Sequence, residues 1–271
     1  MPHDHPRSRT GLVLLMLALS IPVLSLPTAS AVPSPCDVII AGGTHFTSLQ
    51  DAVDATVDGA VLRVKGTCTG HTEIDHDVTI VGRQTKATGT PRLSGGGTVQ
   101  VLLIDEGVSA TIRNLVIRDG LATGGFPADS GGGIGNDGTL ALNNVVIRNN
   151  EGRNGGGISN RGALTLRGYT KIHHNVADDN NGGGIDNDGT FRKTTLIMNG
   201  HSSVFRNSAG GNGGGVDLWE SSLTMNAFSS IHNNTSPSGG GVFEYCGSTA
   251  TGILAGTNVY DNAPTDYVAE C

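Results

Sequence analysis

Aromatic residues are scarce in this chain: one Trp, four Tyr and six Phe among 271 residues. That excludes a large aromatic core and leaves burial to Ile, Leu and Val. These occur in short runs bounded by Gly, Asn and Asp, the grammar of strands and turns. Basic charge is also short. Lys and Arg number 17 against 24 Asp and Glu, a formal net charge of −7. Nucleic acid and anionic membranes need a basic face to neutralise phosphates, so neither is expected as a partner. No apolar run of membrane-spanning length follows residue 31, so no transmembrane anchor is expected in the remainder. Neither GxSxG, HExxH nor a P-loop occurs, and the four cysteines show no CxxC spacing.

The start of the chain reads as a targeting segment. Arg7 and Arg9 precede an apolar stretch from Gly11 to Leu26, and Ala29-Ser30-Ala31 has the small-x-small form of a cleavage site. The expectation is a signal peptide over 1–31 and a secreted, extracellular single domain over 32–271. Export permits disulfides, and Cys36, Cys68, Cys246 and Cys271 allow three pairings. Cys36–Cys68 and Cys246–Cys271 are favoured, since each closes a short loop near a terminus; metal ligation is the alternative.

What the chain has in abundance is glycine, at 42 residues. Glycine triplets begin at Gly95, Gly131, Gly155, Gly182, Gly213 and Gly239, the last five spaced 24, 27, 31 and 26 residues apart. A period of 20 to 50 residues signals a solenoid. Gly131 to Asn150 reads GGGIGNDGTLALNNVVIRNN and Gly155 to Asn175 reads GGGISNRGALTLRGYTKIHHN. Ile134, Leu140, Leu142 and Ile147 of the first answer to Ile158, Leu164, Leu166 and Ile172 of the second. Alternation over so few residues argues half-buried strands. Each repeat closes on Asn150, Asn175, Asn207, Asn234 or Asn262, a column read as a tight turn whose side chains can also hydrogen-bond along a ladder. Three strands per winding with equivalent residues stacked gives an all-β, right-handed, single-stranded parallel β-helix of roughly eight or nine coils. Thr47 to Thr56 reads as an amphipathic helix capping one end, within about 44–56, with Thr47 and Gln50 at capping-box spacing. The disulfide-closed segment 246–271 is the expected cover at the other end.

A leader, a short helix and GGGIxNxGxLxL…IxxN repeats resemble the secreted parallel β-helix proteins of the pectin lyase-like superfamily. They are most similar to its bacterial, polymorphic-outer-membrane-protein-like members. The resemblance covers residues 32–271 and implies fold far more than function, because this architecture hosts lyases, hydrolases and adhesins.

Two columns carry candidate chemistry. Arg118, Arg148, His173, Phe205, His232 and Tyr260 stand two residues before each closing turn and would stack into a stripe about 25 Å long. Rings and guanidinium groups offer stacking surfaces and donors to a polysaccharide or cell-surface glycan. The other reading is an ordinary outer strand face. After the triplets, Asp186 and Asp217 fall on adjacent coils, where they could hold Ca²⁺; otherwise like charge would raise one pKa. No other cofactor is expected. The main expectation is a non-catalytic surface or polysaccharide-binding, adhesin-like module. The alternative is a Ca²⁺-dependent uronate lyase with those aspartates as ligands and an arginine such as Arg148 as base. The resemblance also raises glycoside hydrolysis, but of the motifs it implies only Asp178-Asp179 is present.

Overall fold

The computed structural model describes Met1 and residues 35–122, 130–226 and 228–271. Apart from Met1, the leader expected over 1–31 lies outside the described residues. All strands fall in the compact unit Pro33–Cys271.

That unit is a parallel β-solenoid. One winding runs Thr139–Asn143, Val146–Arg148 and Ile158–Asn160, and the next runs Ala163–Arg167, Lys171–His173 and Ile185–Asp188. Equivalent strands stack into a first sheet of ten strands, and a second and a third of eight each. A small three-stranded sheet joins the second to the third. Counted as steps from rung to rung, the chain makes about 7 turns, slightly fewer than expected. The anticipated columns are in register. Ile134 pairs with Ile158, then Ile185, Val216 and Val242. Ile117 is followed by Ile147, Ile172, Val204, Ile231 and Val259. All are buried, and each fully buried Ile or Leu contributes roughly 2 kcal/mol.

The closing asparagines differ from the expected turn residues. The left-handed backbone belongs to the preceding position, with φ of 55° at Asn149, 54° at His174, 53° at Arg206, 56° at Asn233 and 55° at Asp261. The asparagines themselves point inward and are buried. Asn207 Oδ1 accepts from both the backbone N (3.0 Å) and Nδ2 (2.9 Å) of Asn175. Asn207 Nδ2 in turn donates to Ile172 O and Asn234 Oδ1, each at 3.0 Å. The same pattern links Asn150 to Asn175 and Asn234 to Asn262. The ladder starts at the Gly120 N–H and ends on Asp266, whose Oδ1 accepts both N (3.0 Å) and Nδ2 (3.1 Å) of Asn262. Buried polar groups require such partners.

The triplets are explained by crowding between windings. Gly155 has φ +60°, a Cβ on Gly156 would meet Val176 O at 2.3 Å, and one on Gly157 would meet Gly184 O at 2.6 Å. No other residue fits all three positions.

Separate devices close the N-terminal end. Asp37–Ile39 and His45–Phe46 add antiparallel strands to the first sheet. The disulfide Cys36–Cys68 ties the first strand of the second sheet. The helix spans Leu49–Asp54 and buries Leu49, Ala52 and Val53 as expected. Its N-cap is Ser48, whose Oγ accepts from Asp51 N at 3.4 Å, in place of the anticipated Thr47. Gln50 turns back onto the first strand of the third sheet, accepting from Glu73 N at 2.8 Å and donating to Glu73 O at 3.4 Å. An exposed sheet edge is thereby occupied. At the other end, Cys246–Cys271 pins the last rung of the third sheet to the rung before it.

Replacing Asn207 by Ala removes the acceptor of the Asn175 backbone N–H, one of the two acceptors of Asn175 Nδ2 and a donor to the Ile172 carbonyl. The expected loss is about 3–5 kcal/mol in urea unfolding; a loss below about 1 kcal/mol contradicts the structural role given to the ladder.

Candidate functional site

The second sheet gathers the expected stripe. Arg118, Arg148, His173, Phe205, His232 and Tyr260 are consecutive register partners, all partly exposed. The rings stack: His173 on Phe205 at 4.9 Å, Phe205 on His232 at 5.1 Å, and His232 on Tyr260 at 5.0 Å between centroids, with interplanar angles of 24°, 6° and 4°. This corrects one expectation. The faces of Phe205 and His232 are covered by neighbouring rings, so they present edges, and sugar stacking on those faces is excluded.

A second aromatic row runs alongside it. Tyr169 stacks on His201 at 4.9 Å and His201 on Phe228 at 5.1 Å. Tyr169 and Phe228 are 63% and 79% exposed. Between the rows lies the column Val146, Lys171, Ser203 and Ser230. The two rows therefore wall a trough parallel to the solenoid axis with a floor of small side chains at its C-terminal half. Its end opens into a hollow lined by Met225, Phe228, Ser230, Leu254 and Tyr260. The spacing is visible in the sequence: Tyr169/His173, His201/Phe205 and Phe228/His232 are each four residues apart, spanning a three-residue strand.

Toward the N-terminus, aromatic rings in the wall give way to Arg148 and Arg118, the latter ion-paired with Asp119 at 3.2 Å. Burial, His174, Arg148, Lys171 and Arg206 together hold the His173 imidazole down to about 4. It is neutral at physiological pH, and its Nδ1 lies 2.6 Å from Nδ1 of His174. The net acidity of the chain conceals this local surplus of cations. Arg92, Arg113, Arg167, Lys171 and Arg206 lie on the second sheet or at its corners, whereas Glu73, Asp75, Asp105, Glu106 and Asp137 lie on or beside the third.

Asp186 and Asp217 are register partners on the third sheet, as expected, but both are buried, at 8% and 1% exposure. Asn181 and Asn212 donate to the Tyr245 hydroxyl at 3.4 and 2.8 Å close to the pair. Burial, reinforced by the Asp188 charge and opposed by Arg161, lifts Asp186 to about 7. Burial, with the Asp186 and Asp188 charges, lifts Asp217 well above the ordinary carboxylate range. Asp217 Oδ1 has no hydrogen-bond partner among the described residues. Such a pair retains a proton at neutral pH in place of presenting two carboxylates. Among the described residues no group of three or more His, Cys, Asp or Glu side chains is placed to hold a metal ion. Arg148 lies on the second sheet and the aspartates on the third, so the residues expected of a lyase are not brought together. Most of the segment between Gly120 and Gly131, including Asp129, lies outside the described residues.

Among the described residues no helix is long and apolar enough to cross a membrane. No protein-family model, curated protein or solved structure matches the chain, so the solenoid assignment stands on the register of its own strands.

The aspartate pair has a pH signature. A folded carboxyl with a raised pKa binds protons that the unfolded chain releases, so stability falls as pH rises from about 4, the unfolded value, through about 7 for Asp186. Asp217→Asn is expected to raise the melting temperature at about pH 8 and to flatten its decline from about pH 5. Equal effects at both values contradict a protonated pair.

Proposed function

We propose that this chain is an exported, non-catalytic, adhesin-like binding module of the bacterial pectin lyase-like kind that holds a polysaccharide in the trough of the second sheet. The observation that carries this reading is the pair of parallel rows flanking Lys171, Ser203 and Ser230. An extended polymer lying along the axis would meet the same kind of group at every rung, about 4.8 Å apart. Because the faces of Phe205 and His232 are covered, recognition along that wall comes from ring edges and flanking groups: the Arg118 and Arg148 guanidinium groups, imidazole nitrogens and the Tyr260 hydroxyl. Guanidinium forks favour carboxylate or sulfate groups on such a polymer. The apolar leader in the sequence and the two disulfides support export.

Retention on immobilised acidic and neutral polysaccharides tests the proposal. Arg118→Ala with Arg148→Ala is expected to weaken binding of the retained polymer at least about tenfold, equivalent to about 1.4 kcal/mol. Phe205→Leu should lower stability while changing affinity less, since its faces serve the ring stack. Retention of no polymer, or unchanged affinity in the double arginine variant, counts against the trough.

A further inference from the structure

The outer face of the first sheet differs in chemistry from the other two. Thr111, Ala141, Thr165, Ile197, Thr224 and Thr251 form one register column across it. The neighbouring column, from Ser109 to Thr249, is likewise Ser, Thr and Ala. Neither column contains a charge.

Charge instead marks the two ends of these strands, with opposite sign. Asp77, Glu106, Asp137 and Glu220 stand just before strands of this sheet begin. Burial, reinforced by the nearby charges of Glu73, Asp75 and Asp137, raises the pKa of Asp105 at this corner. Two bases at that corner are engaged locally, Arg161 with Asp137 at 2.7 Å and Arg192 with Glu106 at 3.0 Å; Lys193 is also present. Arg83, Arg113 and Arg167 stand at or just beyond the strand ends, and Arg63 shares the register column of Arg113. On the strand Ser109–Arg113 the two signs bracket one rung, Glu106 before it and Arg113 at its close.

We infer that a second copy of this chain covers the first sheet, face to face, about a two-fold axis parallel to the solenoid axis. That operation reverses strand direction while keeping rung order, so on the rungs Val78–Gly82 and Ser109–Arg113 the acidic start of each copy meets the basic close of its partner. Asp77 then faces Arg83, and Glu106 faces Arg113, on both sides of the axis. An uncharged centre with a charged rim is the usual anatomy of a protein interface, and isologous two-fold contacts are the commonest oligomeric arrangement. The size is adequate. Eight parallel strands, about 4.8 Å apart and about 17 Å long, present roughly 600 Å² before the charged edges are added. A standard interface covers about 800 Å² on each partner. The inference is independent of the polysaccharide proposal, because the trough on the second sheet stays open in the dimer.

Sedimentation velocity of the purified protein over a concentration series, at low and high salt, tests the pairing. The expected species has twice the mass of one chain, with dimerisation weakened by salt because the rim is charged. Ile197→Lys, at the centre of the face, should give a monomer with an unchanged circular dichroism spectrum. Arg113→Glu, fully at the surface, should weaken dimerisation at least about tenfold without touching the core, and Ser203→Lys on the second sheet should leave it intact. A monomer at every concentration overturns the inference. So does a dimer indifferent to Ile197→Lys and Arg113→Glu, or a mass that climbs past the dimer into open chains.

Discussion

The buried asparagine ladder is the constraint on which the rest of the structure depends. A winding that turns a corner must leave backbone N–H and C=O groups pointing into the core, where no water can satisfy them. Asn supplies both a donor and an acceptor on one short side chain. The column from Asn150 to Asn262 uses both, bonding the rung on one side and the rung on the other. The bond geometry repeats only when successive windings are in strict register. Packing of Ile and Val provides most of the favourable free energy, but apolar side chains tolerate sliding and a hydrogen-bond ladder does not. The cost is accepted at the neighbouring position, where His174 and Arg206 adopt left-handed backbone that such residues disfavour.

Register then converts sequence repetition into surfaces. Whatever occupies an outward position becomes a column, and each face acquires its own chemistry. The first sheet is neutral and hydroxyl-rich with charged margins, the second carries rings and guanidinium groups, and the third buries two carboxyls beneath Tyr245 and its asparagines. A formal charge of −7 summarises none of this, because the cations and anions occupy different faces. Net charge says little about partners for a molecule built this way.

The columns of the solenoid were legible because one residue in each repeat does one job: Ile and Val for burial, Gly for close approach. The role of the closing Asn was legible only in part. Asn suits both a left-handed turn and an inward ladder, and the residues that do adopt the turn (Asn149, His174, Arg206, Asn233, Asp261) share no side-chain chemistry that would mark them. Ser48 and Thr47 are equally good caps on paper; the backbone geometry chose Ser48. The stripe on the second sheet could be read as a column, but not that its rings would consume one another's faces, since that depends on rotamers. Burial of Asp217 was hidden for a similar reason: the side chains that cover it, Asn181, Asn212 and Tyr245, come from three separate windings.

Native-state hydrogen exchange at the backbone amides of Asn150, Asn175, Asn207 and Asn234 tests the central claim most directly. If the ladder holds the windings in register, these amides exchange together, only through global unfolding, and with a denaturant dependence equal to that of the whole domain. Exchange by independent local openings, at rates like those of the exposed corners, would show that the asparagines decorate a register set by something else.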